Sequence, residues 1–115
     1  MFVPFVDLKR INNNYRAQFL KEFKLAIDKS DFILGESLLK FEKEFSKFTK
    51  SNYCIGVGNG TDALYISLRY FKYKDGAEII VPSNSWVSTS EIVSQAGYKV
   101  VFCDVDANTH LINVN

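Results

Sequence analysis

The sequence has one histidine, one tryptophan and two cysteines, and almost no imbalance of charge. Each scarcity removes a class of function. Fourteen Lys and Arg stand against thirteen Asp and Glu, a formal net charge of +1, so no global field attracts nucleic acid or an anionic membrane surface. No apolar run approaches the roughly 18 residues needed to span a bilayer, and residues 1–8 lack a basic stretch followed by a long apolar one. A cytoplasmic setting is the expectation, with neither nucleic acid nor membrane as partner. Cys54 and Cys103 each sit in an apolar run that reads as a buried strand, where cysteine behaves as a small hydrophobe, so both are expected to be reduced core residues. The lone histidine, His110, would have to serve any Ser/His/Asp or Cys/His device. Its neighbours Thr109 and Leu111 give no sign of one, and it reads as a surface residue. No internal repeat, low-complexity tract or linker interrupts the chain.

At 115 residues and 47% hydrophobic side chains, the chain can form one compact domain at most. Its first part, residues 1–50, reads as helical. Tyr15, Phe19, Leu20, Phe23 and Ile27 recur at three- and four-residue spacing and predict an amphipathic helix over 11–29. Leu38, Phe41, Phe45 and Phe48 predict a second over 36–50, with Lys40, Lys43, Glu44 and Lys47 largely on its solvated side. Phe32-Ile33-Leu34-Gly35 between them reads as a packed connector. Over residues 51–115 the pattern becomes strand, helix, strand, helix, strand, at 53–57, 61–70, 78–81, 86–95 and 99–103. Apolar runs without strict alternation suit strands covered on both faces, so the class is α/β with a mainly parallel sheet. Pro82 is expected to end the second strand, since it cannot donate to a ladder.

In such sheets ligands bind beyond the carboxyl ends of the strands, which singles out three loops: 58–62, 83–88 and 104–109. The first, Gly58-Asn59-Gly60-Thr61-Asp62, combines glycines that permit close backbone approach with the start of a helix, whose free N–H groups favour an anion. It lacks the lysine of a Walker loop and the glycine spacing of a dinucleotide fingerprint. Taken alone it fits an ordinary turn capped by Asn59 or Thr61 somewhat better than a phosphate site. The second loop sets Trp86 among small polar residues at the mouth of the sheet, where an indole could stack on a flat heteroaromatic ring or simply cover a helix end. In the third, Asp104 and Asp106 could suggest a metal pair. With only His110 nearby as a further ligand, turn closure through the backbone is the stronger reading, and no metal site is expected.

Four segments, in order, resemble the DegT/DnrJ/StrS family of sugar aminotransferases. They are Val3-Pro4-Phe5-Val6-Asp7-Leu8; Phe32-Ile33-Leu34-Gly35 with Phe41-Glu42-Lys43-Glu44-Phe45; Gly58-Asn59-Gly60-Thr61-Asp62-Ala63-Leu64; and Val81-Pro82-Ser83-Asn84-Ser85-Trp86-Val87-Ser88-Thr89 with Val101-Phe102-Cys103-Asp104-Val105-Asp106. The resemblance covers nearly the whole chain, and it reverses the preference for an ordinary turn in the first loop. It implies the N-terminal part of the type I (aspartate aminotransferase-like) fold, truncated, with residues 51–115 opening the cofactor-binding large domain.

The resemblance further implies pyridoxal 5'-phosphate as cofactor, an amino donor such as glutamate, a nucleotide-linked keto sugar as acceptor, and a homodimer with the active site between subunits. By motif position, Gly60, Thr61 and Asp62 would contact the cofactor phosphate and Trp86 would stack on its ring. Like charges repel, so Asp62 would offer its backbone N–H while its side chain caps elsewhere. The family's pyridinium-pairing aspartate and Schiff-base lysine would lie beyond Asn115, leaving no catalytic residue in this chain. Two rivals stand beside the aminotransferase: a sugar dehydratase of the same fold in which histidine replaces that lysine, and a noncatalytic remnant or interaction module. Residues 1–115 expressed alone are therefore expected to show no amino transfer. Turnover accompanied by a borohydride-sensitive cofactor absorption would contradict this.

Overall fold

The computed structural model describes residues 3–114, which fall into two compact units, Met1–Gly56 and Val57–Asn115. The first unit consists of two helices, α1 (Leu8–Lys29) and α2 (Glu36–Thr49). Asp7 starts α1 by accepting a hydrogen bond from the Arg10 amide at 2.9 Å, which satisfies one of the donors that a helix start leaves orphaned. The helix therefore begins three residues before the start expected at 11. Ser30, in the left-handed region at φ 53°, stops it, and its amide folds back onto the Ala26 and Ile27 carbonyls.

The connector is held by Asp31. Gly35 occupies the N-cap position of α2 and has no side chain with which to cap. Asp31 takes over: its Oδ2 accepts from the Ser37 amide at 2.9 Å and from the Ser37 hydroxyl at 2.5 Å. A Cβ on Gly35 would lie 1.5 Å from Asp31 Oδ1, so only glycine admits the carboxylate to this place. The Ser37 hydroxyl, then the Ser37 amide, hold the Asp31 carboxyl below its ordinary value. Along α2, Phe41 and Phe45 stack at 5.4 Å, yet no residue of either helix is buried.

Residues 53–57, expected as a strand, are not one. A strand exists through its ladder, and among the described residues no neighbouring strand runs beside this segment. The Gly56 amide instead donates to Glu42 Oε1 of α2 at 2.7 Å. Cys54 is accordingly half-buried outside any sheet.

The second unit runs α3 (Gly60–Tyr70), β1 (Glu78–Pro82), α4 (Ser88–Gln95) and β2 (Lys99–Cys103). β1 and β2 pair in parallel, in register from Glu78 opposite Lys99 to Pro82 opposite Cys103, with α4 as the crossover that parallel pairing requires. Pro82 ends the strand as expected, without donating, and the next amide, Ser83, bonds the Cys103 carbonyl at 2.8 Å. The core is Val81, Ile92, Val93, Ala96 and Tyr98, packed against Tyr65, Leu68, Ala77, Ile79 and Val100. Gly97, at φ +84°, makes the left-handed turn that takes the chain from α4 into β2. Arg69 Nη1 donates to the Ala96 carbonyl at 3.3 Å and ties α3 to that same turn.

Both faces of the strands were expected to be covered. Within this unit α4 and its apolar neighbours bury Val81, whereas Ile80, alternating to the other side of β1, stays 61% exposed.

The Asp31 cap carries a pH dependence with a definite sign. Because its folded carboxyl is held below 3.8, the stabilisation is complete above that value and is lost as pH falls through the lowered folded one. Carboxyl-carbon NMR titration is expected to place Asp31 below 3.8 in the wild type and to return it toward 3.8 in Ser37→Ala. A wild-type midpoint at or above 3.8 would contradict the cap.

Candidate functional site

Helix α3 begins where Asn59 can cap it. Its Oδ1 accepts from the Asp62 amide at 2.9 Å and its Nδ2 donates to Asp62 Oδ2 at 2.9 Å, a reciprocal pair across the first turn. The Ala63 amide reaches the Asn59 carbonyl at 3.2 Å. Two donors of the first turn remain: the Gly60 and Thr61 amides have no acceptor among the described residues. A Cβ on Gly60 would meet no protein atom within 4 Å, so a ligand can approach this backbone directly.

Helix α4 begins close by. The loop after β1 is held by the Ser85 and Thr89 hydroxyls, 2.9 Å apart, and by the Thr89 amide donating to the Trp86 carbonyl at 2.9 Å. Thr61 Oγ1 donates to Ser88 Oγ at 2.8 Å, joining two positions 27 residues apart. This bond brings the starts of α3 and α4 to one cavity of about 610 Å³, lined by Gly60, Thr61, Leu64, Trp86, Ser88 and Thr89 among others. The Trp86 indole is 78% exposed and has no ring partner among the described residues. Of the sequence candidates, Gly60, Thr61 and Trp86 therefore meet at this cavity, and Asp62 stands outside its lining with its amide and carboxylate both engaged by Asn59.

The third loop lies apart from the cavity lining. Asp106 Oδ1 accepts from the Asn108 amide, the Thr109 amide and the Thr109 hydroxyl, at 3.0, 2.9 and 3.1 Å. These bonds, the Thr109 amide foremost, hold the Asp106 carboxyl below its ordinary value. The turn they close brings Val105 and Ile112 into an antiparallel bridge and leaves exposed His110 at φ 56°. Asp104 Oδ1 accepts from the Val105 amide at 2.8 Å. Among the described residues no cluster of three metal-binding side chains forms.

The cavity can do two things chemically. Two free amides at a helix start, next to a hydroxyl pair, suit an oxyanion, and an exposed indole beside them suits a flat ring. No lysine or arginine lines it, so oriented dipoles must supply the attraction. Reading the sequence alone passed over Ser88. The available signal was its place two residues after Trp86 at the opening of a helix, where a small hydroxyl residue stands at the first turn.

Comparison with known proteins decides the family. The profile of the DegT/DnrJ/EryC1/StrS aminotransferase family matches residues 13–115. The chain belongs to that family. A dTDP-3-amino-3,6-dideoxy-alpha-D-galactopyranose transaminase from Aneurinibacillus thermoaerophilus is 34% identical over 111 residues, covering 96% of this chain and 31% of the relative. The crystal structure of a DegT DnrJ EryC1 StrS aminotransferase from Brucella abortus superposes with a TM-score of 0.89 at 28% identity, covering 98% of this chain and 30% of that one. An E. coli GDP-4-keto-6-deoxy-D-mannose-3-dehydratase with bound hydrated PLP superposes at 0.75 with 33% identity, covering 82% and 26%. The chain thus spans under a third of the length of these relatives and shares the fold of the two solved structures over that part, an α/β arrangement with a parallel sheet.

Proposed function

We propose that the cavity at the starts of α3 and α4 is one wall of a pyridoxal phosphate site, in an enzyme that moves an amino group to a nucleotide-linked keto sugar. The observation that carries this reading is the pair of free amides, Gly60 and Thr61, opening beside an exposed indole in a chain of this family. The residues fit the cofactor's two ends. Each amide donating to a phosphate contributes about 1.5–3 kcal/mol, whereas a ring stacked on Trp86 adds about 0.5–1.5 kcal/mol. Phosphate contacts thus anchor, and the indole sets the plane of the ring. Asp62 acts one step back: with Asn59 it fixes the first turn of α3 and so aims the two amides.

Pyridoxal phosphate, when bound, supplies an electron sink for carbon–nitrogen bond exchange. The residues of this chain bind it, orient its ring and shield one face. In this reading residues 1–50 form a helical segment and residues 51–115 open the cofactor-binding domain of a homodimer. Glutamate is the amino donor. Residues 1–115 hold part of the cradle and do not transfer an amine alone. The two free cysteines, Cys54 and Cys103, agree with a cytoplasmic setting. A second reading, a sugar dehydratase of the same fold, is favoured by the likeness to the E. coli dehydratase.

The full-length protein is expected to take up pyridoxal phosphate and, with glutamate and a nucleotide-linked keto sugar, to form an amino sugar and one equivalent of 2-oxoglutarate. Trp86→Ala is expected to weaken cofactor binding by about 2- to 10-fold, measured by absorbance titration. A deoxy sugar formed without nitrogen transfer would establish the dehydratase instead, and failure to bind the cofactor would contradict both.

A further inference from the structure

Apart from the Tyr98 phenol, Ser88 is the only buried polar side chain among the described residues, at 7% exposure, yet it lines the cavity. Its oxygen has one partner in the structure, the Thr61 hydroxyl, and there Thr61 is the donor. Two consequences follow from the inventory of a hydroxyl, which holds one proton and two lone pairs. The Thr61 proton is committed to Ser88, so Thr61 Oγ1 presents lone pairs to any anion reaching its amide. The Ser88 proton has no acceptor among the described residues. A buried hydroxyl that accepts one hydrogen bond is also polarised into a stronger donor, since bonds in a chain reinforce one another.

The geometry points to Ser88 as a phosphate-binding residue: its O–H donates to the anion held by the Gly60 and Thr61 amides, and Thr61 orients it. This rests on the pyridoxal phosphate reading above. Thr61 then contributes its backbone N–H to the ligand and its hydroxyl to Ser88. The starts of α3 and α4 act on the anion together, with Ser88, the first residue of α4, bringing its helix to a ligand anchored on the other.

Comparing pyridoxal phosphate with pyridoxal isolates the phosphate. In the full-length protein, Ser88→Ala is expected to weaken pyridoxal phosphate about tenfold and to change pyridoxal binding less than about twofold. Thr61→Val removes only the orienting bond, so its loss of pyridoxal phosphate affinity is expected to be smaller, and the double variant to lose little more than Ser88→Ala. Ser88→Cys nearly preserves volume but donates weakly, and is expected to behave like Ser88→Ala even if the alanine variant folds poorly. Equal weakening of both ligands would make Ser88 a packing residue and overturn the assignment. So would unchanged pyridoxal phosphate binding in Ser88→Ala, or a larger loss in Thr61→Val than in Ser88→Ala. A wild-type protein that binds both ligands equally would instead defeat the phosphate site itself, a distinct outcome.

Discussion

One hydrogen bond, from Thr61 to Ser88 at 2.8 Å, does most to make a site out of this fold. It spans 27 residues and fastens the first turn of α3 to the first turn of α4. Without it the Gly60 and Thr61 amides and the Trp86 indole would belong to two separate helix starts. A helix start has orphan donors wherever it occurs, and alone it is a weak anion site. Two of them, tied through a buried hydroxyl pair and opening on one cavity, form a place where a phosphate and a ring can both be held.

The fold supports that bond from behind. α4 crosses between two parallel strands and buries Ile92 and Val93 against Val81, and Val93 is only 1% exposed. Gly97 turns the chain back, Tyr98 packs edge-on against Tyr73, and Arg69 anchors the end of α3 on the Ala96 carbonyl. Both helices are thus fixed near their C-terminal ends by contacts with that turn, while their N-terminal ends open on the cavity. The start of α4 lies just beyond the carboxyl end of β1, the place where α/β proteins bind ligands.

Much of this was legible in the residues. Apolar spacing placed α1 and α2, and the run from Lys99 to Cys103 has the bounds expected of it. Periodicity could not see what depends on a distant partner. The segment at 53–57 has strand composition, but composition cannot supply a ladder, and the Gly56 amide bonds Glu42 instead. Capping was legible in type and not in assignment: the turn at 58–62 clearly opened a helix, but that Asn59 takes the Asp62 amide and leaves Gly60 and Thr61 free is a matter of three-dimensional geometry. Likewise Asp31, four residues before the glycine it substitutes for as a cap, gives no local sequence signal. Ser88 was missed for the same reason, since its meaning lies in a residue 27 positions away.

The most direct measurement is of the two amides themselves. In amide-resolved NMR of the full-length protein, pyridoxal phosphate and inorganic phosphate are both expected to shift Gly60 and Thr61 strongly. Pyridoxal should leave those two amides nearly unmoved while perturbing the Trp86 indole. If pyridoxal moves Gly60 and Thr61 as far as pyridoxal phosphate does, or if phosphate shifts amides elsewhere and spares these, the start of α3 does not hold the phosphate.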